Sequence, residues 1–341
     1  MNNVFPRFKS WALLLSACLS IVPAASARFR VKDLGTIGTG TNPTSGAFGI
    51  NNAGVVSGTF TLPRHAFRDP GVMIDLGTLG GATSQAWGIN DHNQVVGYAD
   101  TLTATHAFVD SGTMFDLGTL GGPSSTAYAI NNNSWIVGYS LIPSGANHAF
   151  LYKNAVMNDL GTLGGTTSFA YGINNNNWVV GSAMLPNNVT GHAFLWMGGG
   201  PLLDLGGLGG YSMALGINNA GVVVGSSYLP GNTVEHAFYF DGHMHDLGTL
   251  GGTYSRALGI NKNGAIVGES SVPSGYPNHG FIAYCRNTMV DINTMVDASG
   301  AGWTIVSATA INDYGQVAAW GINANGDAHA LLLTFMGSLT C

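Results

Sequence analysis

Short apolar runs alternate with glycine-rich turns along the chain after its first 27 residues. The pattern is clearest from Asp116 to Gly122, which reads Asp-Leu-Gly-Thr-Leu-Gly-Gly, and in the following segments Trp135–Gly138 and His148–Phe150. Self-similarity with a period of 41–45 residues indicates a propeller or a solenoid. Seven aspartates open the seven copies: Asp33, Asp75, Asp116, Asp159, Asp204, Asp246 and Asp291.

Each repeat unit contains four predicted strands. In the first strand, such as Ser168–Asn174, alternation puts Ser, Ala and Gly on one face and a bulky residue followed by Ile on the other. Faces of this kind suit sheets that stack against each other. Gly or Asn then marks a tight hairpin turn. The second strand reads Val-Val-Gly or a variant, the third begins at His-Ala-Phe, and the fourth runs into Asp-Leu-Gly.

The two ends of the repeat region predict a closed ring. Arg28–Lys32 is a fourth strand without three strands before it, and His329–Thr334 is a third strand without a fourth after it. Pairing these segments completes the seventh unit and removes the exposed edges of an open stack. The sequence therefore predicts an all-β fold, a seven-bladed β-propeller of four-stranded blades, with residues 28–341 as a single domain.

Residues 1–27 have the pattern of a secretory signal peptide. Arg7 and Lys9 precede the apolar run Trp11–Val22, and an Ala-x-Ala cleavage site ends at Ala27. The run is shorter than the roughly 20 residues that a membrane-spanning helix needs. We expect export to the extracellular space or the periplasm. The alternative is a lipoprotein anchored at Cys18, because Leu-Ser-Ala-Cys resembles a lipobox.

Composition and charge narrow the classes of partner. Charged residues are 8% of the chain and hydrophobic residues 45%, which indicates a chain that forms a core. The net charge is −6, and removal of Arg7 and Lys9 with the leader makes it about −8. Nucleic acid is therefore not an expected partner. No further apolar run reaches membrane-spanning length, so we predict no transmembrane segment in the mature chain.

The repeated strings resemble those of the bacterial extracellular HAF-repeat family. Asp-Leu-Gly-Thr-Leu-Gly-Gly, Gly-Ile-Asn-Asn and His-Ala-Phe carry this resemblance, which covers all of the chain after the leader. It implies an extracellular repeat protein and no particular activity, because the family is defined by its pattern and by export. Units six and seven depart from the pattern at His279–Phe281, at Asp291–Asn293 and at His329–Leu331, and an insertion runs through Asp297 and Trp303.

Residues that recur in every unit are expected to serve the fold. An imidazole that donates to a carboxylate links neighbouring strands and satisfies polar groups that are costly to bury. Seven calcium sites are the alternative, but each unit offers one dependable carboxylate. His243-Met-His245 supplies two metal ligands and no third. We predict no metal, no cofactor and no catalytic residue. The recurring histidines are His65, His106, His148, His192, His236, His279 and His329.

Candidate ligand-binding residues lie where the units differ. At the second position of the first strand, Gln85 and Arg256 are the polar outliers, and the insertion contributes Asp297 and Trp303. Aromatic, amide and carboxylate groups together suit carbohydrate. The predicted function is that of a secreted, non-catalytic binding or scaffold module for carbohydrate or a protein partner. The alternative is a polysaccharide hydrolase or lyase that uses two of the ten carboxylates outside the repeat.

Two cysteines remain after the leader, Cys285 and Cys341. An even pair in an oxidising compartment favours a disulfide, which here would join the sixth unit to the end of the sequence. The sequence predicts no particular oligomeric state.

Overall fold

The computed structural model describes residues 28–284 and 288–337 as seven four-stranded antiparallel sheets in which each sheet packs against the next. The last sheet also packs against the first, so the seven sheets close into a ring of blades. The prediction of a seven-bladed β-propeller is thereby confirmed. The predicted leader, Cys18, Cys285 and Cys341 lie outside the described residues.

The strand bounds follow the repeat. Strand β1 (Arg28–Gly35) precedes the first complete blade. Blade 1 contains β2 (Ser45–Ile50), β3 (Val56–Phe60), β4 (His65–Asp69) and β5 (Ile74–Asp75). Blade 2 contains β6 (Ser84–Ile89), β7 (Val95–Asp100), β8 (Thr105–Asp110) and β9 (Met114–Asp116). Blade 3 contains β10 (Ser125–Ile130), β11 (Ile136–Leu141), β12 (Asn147–Lys153) and β13 (Val156–Asp159).

The remaining blades continue in the same order. Blade 4 contains β14 (Ser168–Ile173), β15 (Val179–Met184), β16 (Gly191–Trp196) and β17 (Leu203–Gly206). Blade 5 contains β18 (Ser212–Ile217), β19 (Val223–Tyr228), β20 (Glu235–Phe240) and β21 (Met244–Gly248). Blade 6 contains β22 (Ser255–Ile260), β23 (Ile266–Ser270), β24 (His279–Ala283) and β25 (Met289–Asp291). Blade 7 contains β26 (Thr304–Ile311), β27 (Gln316–Ile322) and β28 (Ala328–Met336), with β1 as its fourth strand.

Blade 7 closes the ring by joining the two ends of the described chain. Strand β1 pairs antiparallel with β28, from Arg28 opposite Met336 to Asp33 opposite Leu331. The insertion after blade 6 forms two short 3-10 helices, Ile292–Thr294 and Ala298–Gly300, and covers the outer edge of β1. There the Phe29 N–H donates to the Met295 carbonyl at 2.7 Å. The edge that would otherwise be open to another strand is therefore occupied.

The hydrophobic core lies between neighbouring blades. The third position of the His-Ala-Phe triplet is fully buried in every blade, with Leu331 replacing phenylalanine in blade 7. Each cluster joins two blades; Val96 and Ala107 of blade 2, for example, pack with Ala127 and Phe150 of blade 3. The glycine of Val-Val-Gly is required by a close approach within the blade, because a Cβ on Gly138 in β11 would lie 1.9 Å from the Thr126 carbonyl oxygen in β10. Among residues 28–284 and 288–337, no helix is long and apolar enough to cross a membrane.

Candidate functional site in the central channel

The first strand of every blade carries a β-bulge. In blade 3, Ala127 pairs with Gly138 and Ala129 with Val137, which leaves Tyr128 without a partner. A bulge of this kind redirects the side chain of the extra residue. The seven bulged residues all line one chamber on the axis of the ring: Phe48, Trp87, Tyr128, Tyr171, Leu215, Leu258 and Thr309.

The chamber has an aromatic half and an aliphatic half. Phe48 and Trp87 have ring centroids 4.7 Å apart, and Tyr128 lies 5.7 Å from Trp87 and 5.2 Å from Tyr171. Leucines line the wall contributed by blades 5 and 6. The chamber encloses about 490 Å³, a volume typical of small-molecule sites. Within the described part of the chain, the buried Trp87 Nε1 has no hydrogen-bond acceptor.

Arg256 brings a charged group to this chamber. Its Nε and Nη2 donate to the two carboxylate oxygens of Glu235 at 2.8 and 3.1 Å. Glu235 is only 5% exposed, so its buried negative charge is stabilised by this cation. Burial disfavours the charged guanidinium, but the hydrogen bonds to Glu235 and the charges of Tyr254, Glu235 and Glu269 together outweigh burial and raise the pKa of Arg256. Arg256 also lies over the Tyr254 ring, 5.3 Å from its centroid.

A second carboxylate belongs to the same cluster. The Tyr254 hydroxyl donates to Glu269 Oε1 at 2.6 Å. Burial is the main reason that the pKa of Tyr254 lies far above its ordinary value, and the charge of Glu269 is the next. The hydroxyl therefore stays protonated. Arg256, Glu235, Tyr254 and Glu269 thus form one hydrogen-bonded and stacked group beside the chamber.

Gln85 occupies the same strand position as Arg256 but is part of a different environment. It is 4% exposed, and its Oε1 accepts from Arg64 Nη2 at 2.5 Å and from the Tyr98 hydroxyl at 3.2 Å. Gln85 is not among the residues that line the chamber. Of the two polar outliers selected from the sequence, the structure therefore places Arg256 alone at the axial cavity.

Asp297 and Trp303 support the insertion that covers β1. The Asp297 carboxylate accepts from the Ser299 N–H at 2.8 Å and lies 4.0 Å from Arg30 Nε. The hydrogen bonds from Ser299 hold the pKa of Asp297 below its ordinary value, and the nearby arginines contribute a smaller effect in the same direction. Trp303 packs against the core of blade 7, with its ring 5.7 Å from that of His329. Neither residue lines the chamber.

The opposite end of the channel is uniform. We call it the turn face, because the first strands end there in tight turns, and we call the end at which they begin the loop face. On the turn face a buried Asn from each blade donates its Nδ2 to the backbone carbonyl of the equivalent Asn in the next blade, at 2.9–3.1 Å. The seven bonds form a closed circle through Asn51, Asn90, Asn131, Asn174, Asn218, Asn261 and Asn312.

A second circle, which we call the outer circle, lies next to the first. In six of the seven blades, the backbone N–H of the following residue donates to a side-chain oxygen in the next blade. The exception is Asn219, because the next blade supplies Lys262, which has no acceptor. Burial opposes ionisation of Asp91, but hydrogen bonds from Asn52 and Asn132 outweigh burial and lower its pKa. The residues of this circle are Asn52, Asp91, Asn132, Asn175, Asn219, Lys262 and Asp313.

The repeated histidines and aspartates meet in pairs in all seven blades. The shortest distance from His Nδ1 to a carboxylate oxygen is 2.7–3.0 Å in each pair. The pair His329–Asp33 joins β28 to β1. The aspartates have further structural bonds; Asp116 Oδ1, for instance, accepts from the Gly118 N–H at 2.7 Å. The arrangement links the third and fourth strands of a blade at the loop face.

A serine at the start of the first strand has a role that the sequence analysis did not identify. Ser168 Oγ donates to the Gly161 carbonyl at 2.5 Å and accepts from the Ala149 N–H at 2.8 Å, so it joins blade 4 to blade 3. This pair of bonds is present in six of the seven blades, blade 4 included. The signal in the sequence was the recurrence of serine at this position, from Ser45 to Ser255.

The remaining histidine pair forms local contacts. His245 Nε2 lies 3.0 Å from Asp241 Oδ1, and its ring stacks on Tyr239 with centroids 4.4 Å apart. Within the described ranges, no group of three or more His, Cys, Asp or Glu residues is arranged to hold a metal ion.

Fold and site define a seven-bladed β-propeller with a ligand-sized chamber on its axis. No protein-family model matches the chain, and no curated protein matches it. Membership of the HAF-repeat family therefore stays a prediction.

Solved propeller structures are similar to the chain at low identity. A protein described as TolB from Agrobacterium tumefaciens is 7% identical over 92% of this chain and 99% of that chain, with a TM-score of 0.47. TolB from Acinetobacter baumannii is 7% identical over 88% of this chain and 65% of that chain, with a TM-score of 0.42. A mutant of AofleA from Arthrobotrys oligospora is 11% identical over 90% of this chain and 86% of that chain, with a TM-score of 0.41. Likeness at this level concerns the fold and carries no conclusion about function.

Proposed function

We propose that this protein is an exported, non-catalytic binding module whose ligand occupies the axial chamber beside Arg256. The observation that supports this most directly is the convergence of seven bulged side chains on one cavity of about 490 Å³. Each bulge leaves one residue of the first strand without a pairing partner in the second strand, and it directs that residue's side chain toward the axis. A largely apolar cavity with few polar groups is the usual form of a small-molecule site.

The chamber's chemistry favours a ligand with a compact, ring-containing apolar body and a hydrogen-bond acceptor. The aromatic arc from Phe48 to Tyr171 suits stacking or edge contacts with a ring. The Trp87 Nε1–H is buried, so it is not the donor to a ligand in the chamber. Arg256 uses Nε and Nη2 on Glu235, which leaves Nη1 as a donor for the ligand.

Export is part of the proposal and is supported by the leader pattern of residues 1–27. Mass spectrometry of protein from the culture medium and the periplasm tests it. The expected mature chain begins at Arg28. A chain that retains residues 1–27 in the cytoplasm contradicts export, and a lipid on Cys18 supports the lipoprotein form instead.

A fluorescent probe with an aromatic body and an acceptor, 8-anilinonaphthalene-1-sulfonate, tests the chamber. We expect one saturable site per chain. Leu215→Trp and Leu258→Phe fill the cavity and should weaken binding at least about tenfold, the equivalent of about 1.4 kcal/mol. Leu102→Ser, at a residue 87% exposed, is the matched control for surface binding and should leave the affinity unchanged.

Two outcomes of the titration contradict the chamber proposal. One is binding that the filling variants do not weaken while circular dichroism shows them folded. The other is binding that Leu102→Ser abolishes. Incubation with polysaccharides, scored for soluble product, tests the hydrolase or lyase alternative, for which Glu235 and Glu269 are the carboxylates that share Arg256 as a neighbour. Product release that Glu269→Gln abolishes would replace the binding-module proposal by that alternative.

A further inference from the structure

We infer that the groove between blades 3 and 4 is a second binding site, and that it binds a pyranose residue of a polysaccharide. The groove lies away from the axis and encloses about 470 Å³. Two indoles, Trp135 and Trp196, line it together with Lys153. The rest of the lining consists of amide side chains, the Asp159 carboxylate that pairs with His148, apolar side chains and a glycine turn, and none of these residues takes part in the axial chamber.

An enlarged turn in blade 4 forms one wall. The paired His192 and Asp204 are 12 residues apart, as is the pair in blade 6, whereas the equivalent pair in blades 1, 2 and 5 is 10 residues apart. The longer turn contains Gly198–Gly200, which lines the groove. Trp196 Nε1 donates to the Gly200 carbonyl at 2.9 Å, and this bond holds the indole against the turn. The ring is therefore oriented before any ligand binds, which lowers the entropic cost of stacking on it.

Blade 3 supplies the second wall and a cation. Lys153 Nζ lies 4.6 Å from the centroid of the Trp135 ring. In residues 28–284 and 288–337, no carboxylate lies within ion-pair distance of Lys153. Within the same ranges, Lys32 and Lys262 also have no ion-pair partner, so what distinguishes Lys153 is its place in a groove beside two indoles. Its ammonium has three donors, and none is used in a protein hydrogen bond within those ranges.

Two asparagines present unused polar atoms to the groove. Asn158 donates through Nδ2 to the Leu151 and Val156 carbonyls, so its Oδ1 is left as an acceptor. Asn177 accepts through Oδ1 from the side chains of two asparagines of blade 3, so its Nδ2 is left as a donor. A pyranose has an apolar C–H face for an indole and hydroxyls that both donate and accept. The groove offers a partner for each of these groups.

Among residues 28–284 and 288–337, the other interfaces between blades lack this combination. The position of Trp135 is occupied in the other blades by Val55, Gln94, Trp178, Val222, Ala265 and Gln316. Trp178 is the matched residue of blade 4, and it packs toward the turn of blade 5, where a Cβ on Gly221 would lie 2.8 Å from its ring. No other blade has a lysine at the position of Lys153. Within the part of the chain that the structure describes, a ligand of this class therefore has one groove of this kind to occupy.

Calorimetric titration of the full mature chain with cellohexaose and with hexagalacturonate tests the inference. These probes separate the two sources of a pyranose, a neutral chain and an acidic one. Trp196→Ala should weaken binding about tenfold through the lost stacking surface. Lys153→Gln should weaken binding of the acidic oligomer more than that of the neutral one, because the ammonium can pair with a carboxylate.

Two controls separate this site from others. Trp178→Phe removes an indole from the adjacent interface and should leave sugar affinity unchanged. The chamber-filling Leu215→Trp should also leave it unchanged, so failure of this inference and failure of the axial proposal are distinguishable. The inference is overturned if neither oligomer binds, or if binding survives both Trp196→Ala and Lys153→Gln in chains that circular dichroism shows to be folded.

Discussion

The two ends of the central channel are built from the same seven strands and follow different rules. On the turn face, every blade contributes an isoleucine and an asparagine, and the asparagines join into a closed circle of hydrogen bonds. On the loop face, the second position of the same strand differs in every blade and includes the charged Arg256. Uniformity therefore occurs where each blade has the same structural need, whereas the varied position contributes one residue, Arg256, to the chamber wall.

The energetic demands at the two ends also differ. Each asparagine of the turn face satisfies its own turn and its neighbour's carbonyl, so no polar atom of its side chain is left over. At the loop face, Glu235 is buried and is balanced by one partly exposed cation. A buried ion pair of this kind contributes little net stability but becomes costly when one partner is removed. The turn face therefore contributes to stability, and the loop face keeps the charged Arg256 guanidinium beside the chamber.

The largest expected effect is on the uniform end, in Asn174→Ala. The substitution removes the bond from Nδ2 to the Asn218 carbonyl and the bonds to Oδ1 from the N–H groups of Asn176 and Trp178. Three hydrogen bonds are lost, although the Asn218 carbonyl keeps the bond from the Gly221 N–H, and at about 1 kcal/mol each we expect a cost of about 3 kcal/mol of unfolding free energy. The midpoint of urea unfolding measures it.

The neighbouring Asn175→Ala is the control for this measurement. Asn175 is exposed and accepts one bond from the Asn132 N–H, so its loss should cost less than about 1 kcal/mol. Equal costs for the two variants would contradict the distinction between the buried circle and the outer one.

At the varied end, Arg256→Met should destabilise the protein by leaving Glu235 buried without its cation. Breaking a buried pair costs about 3–5 kcal/mol, and partial exposure of the Arg256 side chain, 34%, reduces the expectation to about 2 kcal/mol. The double variant Arg256→Met with Glu235→Met should recover to within about 1 kcal/mol of the parent. Urea unfolding of all four proteins completes the cycle. A double variant as unstable as Arg256→Met alone would show that Glu235 is not the source of the cost.

Repetition explains why the fold could be predicted from the sequence. The blade count, the four strands per blade and the pairing of β1 with β28 follow from the period and from two incomplete units. A local rule repeated seven times leaves few alternatives. The departure at Gly280 has a structural reason that no pattern shows. A Cβ there would lie 3.2 Å from the Ala308 backbone nitrogen, because β26 of the closing blade approaches closely.

The site was predictable only in part, because side-chain direction is not encoded in position alone. Gln85 and Arg256 occupy equivalent positions, yet Arg64 and Tyr98 engage Gln85 while Arg256 lines the chamber. The bulges that aim Tyr128 and its equivalents inward depend on strand register, which alternation alone does not give. The groove of Trp196 and Lys153 depends on two residues from different blades and on a turn two residues longer.

A smaller effect concerns pH and the outer circle of the turn face. The pKa of Asp91 is lowered in the folded chain, so its contribution to stability is present above the unfolded value of about 3.9 and is lost as pH falls through the lower folded value. Asp91→Asn should be less stable at pH 7 by less than about 1 kcal/mol, since the group is largely exposed. Thermal unfolding at pH 7 and pH 2.5 should show this difference shrinking at the lower pH. A difference that grows on acidification would contradict the assigned direction.

The smallest expected effect is a gain in stability, from Lys262→Asn. Lys262 interrupts the outer circle because it offers no acceptor to the Asn219 N–H, whereas the equivalent position in every other blade is Asn or Asp. An asparagine would complete the circle and add a bond worth about 1 kcal/mol. It would also lose the contact of Lys262 Nζ with the Tyr314 ring, 5.7 Å away and worth about 0.5 kcal/mol at an exposed site. The net gain is therefore about 0.5 kcal/mol. Lys262→Ser is the control, because it removes the same charge but its side chain is too short to bridge the two blades. The asparagine variant should therefore have the higher midpoint of unfolding. Equal midpoints would mean that the seventh bond adds no stability to the turn face.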